Sequence, residues 1–260
     1  MHHGPKVLVL DIETLPLEAF IWSPWNQDVP KNQIKKDWSV ISWAAKWLDE
    51  KKVFQEDSRK QKDLRNDKKL LKGIWKLIDE ADIIISQNGV SFDIKKLNAR
   101  FEINGFKPPS SFKNIDTKLM ASSIFGFTYN SLEYLSEKLN KKYKKLKHKK
   151  FPGFELWNEC MKGNQKAWKE MAKYNIHDVL ATEELYKTLI KWNPNAINFN
   201  VYSDLLQNKC ICGNSDFYSR GFRYTASGKF NRYICKKCGK ENRGQINLLS
   251  PEKKKALRIK

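Results

Sequence analysis

The sequence predicts an α/β protein, in which helices flank a mixed β-sheet and a small module follows at the C-terminus. Short apolar runs with strand character alternate with helical patterns over the first 190 or so residues. A stretch rich in asparagine, 193–208, then interrupts the pattern. Beyond it, two close pairs of cysteines and a dense excess of basic residues indicate a separate unit.

Each element of the sheet region has its own local signal. The helix predicted at 67–79 has apolar residues three or four positions apart, and the dipeptide at 104–105, Asn-Gly, ends the next helix. Strands are predicted at 6–12, 38–48, 52–55, 82–86 and 113–116, helices at 67–79 and 92–103, and mostly helix from there to about residue 190, with a break at 151–153. A strand hairpin followed by alternating strands and helices is typical of a mixed sheet covered by helices.

The charge of the chain indicates a polyanionic partner. Lysine and arginine number 49 against 29 acids, a formal net charge of +20. Such a field favours nucleic acid, although an AT-rich genome would enrich lysine without any function. The C-terminal 56 residues are the densest part, with 14 basic and 3 acidic side chains, and 141–150 is a lysine-rich run.

No apolar stretch of the sequence approaches the ~18–20 residues of a membrane span, and the N-terminus has no signal-peptide pattern. We therefore expect a cytoplasmic protein with no membrane partner. The cytoplasm keeps thiols reduced, so the five cysteines are not expected to form a disulfide framework.

Two carboxylates end the first apolar run, where Asp11 and Glu13 are separated by Ile12. Side chains alternate along a strand, so both acids point to the same face. Carboxylates this close repel each other unless a cation lies between them, and Mg²⁺ or Mn²⁺ prefers such oxygen ligands. Two merely solvated acids at a strand end are an equally good interpretation of this pair alone.

Two further acids favour the metal interpretation. Asp93 begins the helix after strand 82–86, at the end of a neighbouring strand, where ligands gather in α/β sheets. Asp178 follows Tyr174 by four residues and shares its helix face. An acid buried beside a tyrosine is costly without a partner.

These motifs, in this order along the chain, resemble those of a known protein superfamily. Asp11-Ile12-Glu13, Asn88-x-x-x-Phe92-Asp93 and Tyr174-x-x-x-Asp178 resemble the three exonuclease motifs of the DEDD (DnaQ-like) superfamily, in its tyrosine branch, DEDDy. That superfamily has a ribonuclease H-like fold and includes the proofreading exonuclease domain of family B DNA polymerases. The resemblance covers residues 7 to about 190. The histidine branch is excluded because Lys173 stands where its histidine would be.

The resemblance implies that Asp11, Glu13, Asp93 and Asp178 hold two Mg²⁺ or Mn²⁺ ions, and that Tyr174 orients the attacking water or helps to deprotonate it. An ordinary phenol pKa near ~10 favours the orienting role. Two such ions activate a water and stabilise the leaving oxygen of a phosphodiester. The expected reaction is 3′–5′ hydrolysis to nucleoside 5′-monophosphates, at a single-stranded or frayed 3′ end, with DNA favoured. The alternatives are an exoribonuclease and a non-catalytic nucleic-acid-binding protein that keeps the fold, although all five residues are intact.

The chain looks like the stand-alone exonuclease-like proteins of bacteria and their phages, without a polymerase domain, so replication or repair proteins are possible partners.

The cysteine pairs Cys210-x-Cys212 and Cys235-x-x-Cys238, each followed by glycine, resemble a zinc ribbon with one structural Zn²⁺. The one-residue gap in the first pair departs from the usual pattern, and four free cysteines are the alternative. A module this small would take much of its stability from the metal.

These interpretations give four predicted segments: an exonuclease domain at 1–192, a linker at 193–208, a zinc ribbon at 209–245 and a basic tail at 246–260. The candidate contacts to nucleic acid are basic or aromatic residues or lie near the second motif: Asn88, Phe92, Lys144, Lys145, Lys147, Arg220, Arg223, Lys229 and Arg232. Most of the early tryptophans are expected in the core, and any exposed ones are expected to stack on unpaired bases.

Overall fold

The computed structural model describes residues 4–25, 28–146, 150–202 and 209–257. The chain divides into two compact units. The first, Lys6–Leu189, is called the sheet unit here, and the second, which comprises Ile190–Lys260 and Met1–Pro5, is called the cysteine unit. The predicted linker at 193–208 includes a short 3-10 helix, Phe199–Tyr202, and its last six residues lie outside the described ranges.

The sheet unit contains seven strands, six α-helices and one short 3-10 helix, Lys31–Gln33, among its described residues. In chain order the strands and α-helices are β1 Val7–Leu15, β2 Glu18–Ala19, β3 Ile34–Lys36, β4 Ser39–Trp47, β5 Phe54–Asp57, α1 Lys68–Asp79, β6 Ile83–Ser86, α2 Asp93–Ile103, β7 Lys113–Asp116, α3 Thr117–Ile124, α4 Leu132–Leu139, α5 Glu155–Met161 and α6 Gln165–Leu189. Five strands form one sheet in the order β5-β4-β1-β6-β7, and β2 pairs with β3 separately.

The central sheet is mixed, as the sequence predicts. β1 lies in its middle, antiparallel to β4 and parallel to β6, and β6 is parallel to β7. The hairpin from β4 to β5 turns at Asp49, whose φ is 67°. The predicted α/β class, with helices against a mixed sheet, is therefore confirmed.

The two faces of β1 meet different helices. Leu8, Leu10 and Ile12 pack into the larger core cluster with apolar residues of α1 and α2. Leu15, at the far end of the strand, packs with residues of α5 and α6 in a second cluster. Period-two alternation sends Asp11 and Glu13 away from the larger cluster, towards the face that α6 covers.

The structure extends the first strand beyond its predicted end. The prediction stopped at residue 12, where the apolar run meets the acids, whereas β1 continues to Leu15. A register shift between Glu13 and Thr14 lets the strand bend and still pair with β4. The small β2–β3 pair was not predicted, because its strands are only two and three residues long.

The cysteine unit has a sheet and a helix of its own. Its strands are β8 Phe217–Thr225, β9 Gly228–Cys235 and β10 Glu241–Arg243, in the order β10-β9-β8, and its helix is α7 Pro251–Ala256. All the strand pairs are antiparallel. Across both units, no helix in the described ranges combines the length and apolar character that crossing a bilayer requires.

Candidate active site and cysteine cluster

The first motif lies at the bend of β1. Asp11 is opposite Ala44 of β4, and Glu13 is opposite Ser42. Both carboxylates are partly buried. Because they are two residues apart on one strand, they share the face that α6 covers.

The second motif is held directly against the first. Asp93, which is 2% exposed at the start of α2, accepts a hydrogen bond of 3.0 Å from the backbone N–H of Ile12, between the two acids of the first motif. The turn before α2 is tight, since a Cβ at Gly89 would lie 1.9 Å from the hydroxyl oxygen of Ser86. This close approach brings the start of α2 against the end of β6.

Asp116, at the end of β7, holds the same turn from the other side. Its carboxylate accepts hydrogen bonds from the backbone N–H groups of Asn88 at 3.0 Å and Val90 at 3.1 Å. It also accepts bonds from the backbone at the start of α3, so one buried acid caps a helix and fixes a loop. Sequence reasoning missed this residue. The available signal was an aspartate at a strand end just before a helical run.

The third motif comes from α6, which crosses the sheet above β1. Between Tyr174 and Asp178, Asn175 donates hydrogen bonds to the Oδ2 atom of Asp11 at 2.6 Å and to its carbonyl oxygen at 3.1 Å. The amide oxygen of Asn175 accepts a bond of 2.9 Å from Ser42, so both ends of the buried amide are used. Asn175 therefore joins α6 to β1 through hydrogen bonds. Nothing in the sequence pattern alone distinguishes this residue.

The four acids interact electrostatically. Burial, then repulsion from Asp93, Asp178 and Glu13, raises the pKa of Asp11 well above its usual value. Burial and repulsion raise the pKa of Glu13 to about 8. Burial raises the pKa of Asp93 to about 7, although the N–H of Ile12 opposes the shift, and burial also raises the pKa of Asp178. The cluster therefore resists holding four negative charges by itself.

Lys145 supplies a positive charge within this cluster. Its Nζ atom lies 3.3 Å from the Oδ2 atom of Asp178 and 5.1 Å from the centre of the Tyr174 ring. Burial would lower the pKa of Lys145, but Asp178 and Asp11 raise it above its usual value. The sequence predicts Lys145 as a contact to nucleic acid, and the structure brings it to the acids.

The residues around Asp11 have the chemistry of a site for hard divalent cations. Lys145 faces a group of four carboxyl groups whose pKa values are all raised, those of Asp11 and Glu13 partly by repulsion from the other acids. The Oδ1 atom of Asp178 is buried and has no hydrogen-bond donor among the described residues. Oxygen ligands and uncompensated negative charge are what Mg²⁺ and Mn²⁺ require. Among the described residues, these carboxylates do not form the close group of ligand atoms that the cysteine sulfurs form.

A cavity of about 500 Å³ opens beside the acids. It is lined mostly by polar residues from several elements: Asp11, Gln87, Asn88, Lys118, Thr128, Tyr129, Asn130, Ser131, Leu132, Lys145 and Asp178. Asn88 adopts a φ of 68° there, and its amide oxygen accepts a bond of 3.1 Å from the ammonium of Lys118.

The other predicted contacts of the sheet unit are more scattered. Phe92 is partly buried and packs against the larger core cluster. Lys144 is exposed, and Lys147 lies outside the described residues. Among the early tryptophans, Trp43 is 2% exposed, whereas Trp22 is 91% and Trp25 is 78% exposed.

The four predicted zinc ligands come together in the cysteine unit. The sulfurs of Cys210, Cys212, Cys235 and Cys238 all lie within 4.8 Å of one another. The sulfurs of Cys210 and Cys238 are 3.5 Å apart, and those of Cys212 and Cys235 are 3.7 Å apart. Four Zn–S bonds of ~2.3 Å at tetrahedral angles put sulfurs ~3.8 Å apart, so the cluster fits a structural zinc ion.

Local backbone chemistry supports this cluster. The glycines after each pair, Gly213 and Gly239, have φ values of 83° and 73°, which other residues rarely adopt. Burial opposes ionisation of Cys235, but hydrogen bonds from the backbone of Cys238 and the amide of Asn214 lower its pKa to about 7. A thiol that ionises readily is suited to metal binding, whereas burial raises the pKa of Cys212 to about 11 and also raises that of Cys238.

The predicted basic contacts of the cysteine unit lie on its exposed hairpin. Lys229 belongs to β9, opposite Tyr224. Arg223 of β8 and Arg232 of β9 both lie near Glu241, at 3.3 and 3.8 Å. Arg220 is exposed, and its carbonyl oxygen accepts a bond of 2.8 Å from Arg232.

The family model RNase_H_2, of the RNase_H superfamily, matches residues 35–190. This range contains Asp93, Tyr174 and Asp178 but begins after β1. No curated protein matches the chain. Among solved structures, the family B DNA polymerase from the hyperthermophilic archaeon Pyrobaculum calidifontis is similar, with 14% identity and a TM-score of 0.47 over 76% of this chain and 28% of that one. The chain thus spans little more than a quarter of that polymerase's length. The family match extends over more than half of the sequence, and the protein belongs to the RNase_H superfamily.

Proposed function

We propose that this protein is a metal-dependent 3′–5′ exonuclease that hydrolyses nucleic acid, with DNA favoured, to nucleoside 5′-monophosphates. Membership of the RNase_H superfamily supports a nuclease-type activity. One observation carries the finer proposal: three separate segments, β1, the start of α2 and α6, bring four carboxyl groups and one phenol together.

Asp11, Glu13, Asp93 and Asp178 are the residues that would hold two Mg²⁺ or Mn²⁺ ions. Bound there, such ions would supply an activated water and would stabilise the negative charge on the leaving oxygen. Hydrogen bonds hold two of these acids in position for this role. The N–H of Ile12 orients Asp93, and the amide of Asn175 orients Asp11.

Tyr174 acts as a hydrogen-bonding group and not as a base in this proposal. Burial, then the negative charges of Asp178, Glu13 and Asp11, raises its pKa far above the ordinary phenol value. The hydroxyl therefore keeps its proton at neutral pH and can orient a water or a phosphate oxygen. Lys145, beside Asp178, offsets part of the negative charge that an approaching phosphate would meet.

The proposal is tested with strands labelled at the 5′ end, in DNA and in RNA, single-stranded and duplex. We expect wild-type protein with Mn²⁺ to produce a ladder of progressively shorter labelled products. Asp11→Asn and Asp178→Asn should each abolish the ladder, and Glu137→Gln, an exposed position on α4, should leave it unchanged.

Three results would redirect the proposal. Equal cleavage by Asp11→Asn would show that the activity does not come from this site. Cleavage of RNA alone would identify an exoribonuclease. Tight binding of every strand without cleavage in Mg²⁺ or Mn²⁺ would identify a binding protein that keeps the fold.

A further inference from the structure

We propose that one face of the β8–β9 hairpin binds an unpaired nucleic-acid strand by base stacking on Phe222 and Tyr224, with Lys229 at a phosphate. We call these three residues the aromatic face. The inference rests on the proposed function only in taking nucleic acid as the substrate. It adds a strand-binding site in the cysteine unit and a preference for unpaired bases.

The strand register defines the aromatic face. Phe222 is opposite Asn231, and Tyr224 is opposite Lys229. Directly paired residues of antiparallel strands project to the same side, as do residues two apart on one strand. Phe222, Tyr224, Lys229 and Asn231 therefore share one side of the hairpin, and Arg223, between the two rings, is on the other.

The two rings are open to solvent. Phe222 is 41% exposed and Tyr224 is 69% exposed. Residues two apart on a strand are separated by ~6.7 Å, about twice the ~3.4 Å between stacked bases. The spacing therefore leaves room for one base between the rings. Exposed apolar side chains that lie side by side and have basic residues around them are typical of interaction sites.

Charge distinguishes the aromatic face from the opposite one. Arg223 and Arg232, on the opposite face, both interact with Glu241. The ammonium of Lys229 instead lies 4.0 Å from the centre of the Phe222 ring. A base that stacks on this ring displaces the ammonium, which is then within reach of the adjoining phosphate.

The occupant that fits this combination is single-stranded nucleic acid. The C-terminal 56 residues have 14 basic and 3 acidic side chains, so they attract a polyanion. Aromatic rings beside basic groups bind unpaired strands because every base has a stacking surface. A duplex hides those surfaces, and a protein partner would leave the excess of positive charge unmatched.

The test measures binding to the full chain carrying Asp11→Asn, so that the strand is not degraded, in buffer without divalent cations or chelator. The probes are a fluorescent thymidine strand of about 12 nucleotides, an abasic strand of the same length, and a duplex. Fluorescence anisotropy gives the affinities. Zinc per chain, measured for every variant, checks that the cysteine unit is folded.

We expect Tyr224→Leu to weaken binding of the thymidine strand about 5- to 150-fold, which corresponds to the ~1–3 kcal/mol of one stacked base. Its affinity for the abasic strand should stay within about twofold, because the phosphates are unchanged. Tyr224→Phe, which keeps the ring, should bind like the parent. Tyr218→Leu, which removes an exposed aromatic ring of β8 on the other face, should also bind like the parent.

Equal losses on the thymidine and abasic strands would overturn the inference, as would equal effects of Tyr224→Leu and Tyr218→Leu or tighter binding of the duplex. The proposed function can fail separately. If wild type cleaves nothing while the stacking pattern appears, the exonuclease proposal fails and the strand-binding site stands. If wild type cleaves and Tyr224→Leu binds normally, only the strand-binding site fails.

Discussion

Replacing Glu13 by glutamine should stabilise the protein at alkaline pH when divalent cations are absent. Burial, followed by the repulsion of Asp178, raises the pKa of Glu13 from 4.5 to about 8 in the folded state, and Lys145 offsets only part of the shift. The folded carboxyl therefore keeps its proton at pH values where the unfolded chain has lost it. The stabilisation from this group is complete below about pH 4.5 and disappears as the pH rises to about 8.

The size of the effect follows from the same shift. A change from 4.5 to about 8 corresponds to a loss of at most about 5 kcal/mol from the free energy of unfolding, at ~1.36 kcal/mol for each pH unit. A neutral glutamine is not subject to this loss. Relaxation around the charge reduces the difference, so we expect Glu13→Gln to be more stable than wild type by about 2–4 kcal/mol at pH 8.5. The two proteins should converge near pH 4.5.

Magnesium should remove most of the advantage of the glutamine variant. If Glu13 is a metal ligand, wild type gains about 2.7 kcal/mol when the ion is present at 100 times its dissociation constant. The glutamine variant should gain much less. Urea unfolding followed by tryptophan fluorescence is suitable because eight of the nine tryptophans are in the sheet unit. Metal-depleted buffers are preferable to chelators, which would also remove zinc.

Glu137→Gln is the matched control, since Glu137 is exposed on α4. It should change the free energy of unfolding by less than about 0.5 kcal/mol under every condition. The reasoning is refuted if Glu13→Gln is less stable than wild type at pH 8.5 without divalent cations. It is also refuted if magnesium stabilises both proteins equally.

Three further predictions concern stability. Gly89→Ala should cost about 1–3 kcal/mol in urea unfolding, because the new methyl group meets Ser86, whereas Gly126→Ala, with open space around it, should cost little. Asp67→Asn should cost about 3–5 kcal/mol by the same assay, because it leaves buried Arg100 without the carboxylate that accepts two hydrogen bonds of 2.8 Å. Zinc analysis should give one ion per chain, and its removal should make the cysteine unit sensitive to limited proteolysis while the sheet unit stays resistant.

The central sheet was predictable because its signals are local. The apolar run of β1 and the repeated isoleucines of β6 each identify a buried strand without reference to the rest of the chain. The apolar residues of α1, three or four positions apart, identify a helix in the same way. Alternation along β1 also predicted that Asp11 and Glu13 share a face, because the side-chain period of a strand depends only on the backbone.

The contacts that organise the acids were not predictable in this way. Asn175 is 164 residues from Asp11, and nothing about an asparagine beside Tyr174 distinguishes it from a solvated one. The buried position of its amide results from how α6 crosses β1. Lys145 is a similar case, because its neighbours in the lysine-rich run have the same chemistry and only the packing brings its ammonium to Asp178.

The exposure of individual tryptophans was also not predictable from the sequence. Trp22 and Trp43 lie in the same tryptophan-rich stretch, yet one is 91% exposed and the other is 2% exposed. The difference depends on which strand joins the central sheet: Trp43 is in β4, beside β1, whereas Trp22 follows the two-residue strand β2. Short strands give too few residues for a period to be recognised, so the sequence could not separate core tryptophans from exposed ones.

The protein is strongly basic overall, whereas its candidate site is built from acids, and the proposed reaction needs both. An overall charge of +20 draws a polyanion to the surface. A phosphate that reaches the acids then meets those of the four carboxyl groups that are ionised, in a cavity that Lys118 and Lys145 also line. Repulsion at that short range outweighs a field that salt screens over about 10 Å. Strand binding should therefore persist without divalent cations, while productive contact between the phosphate and the acids should require them.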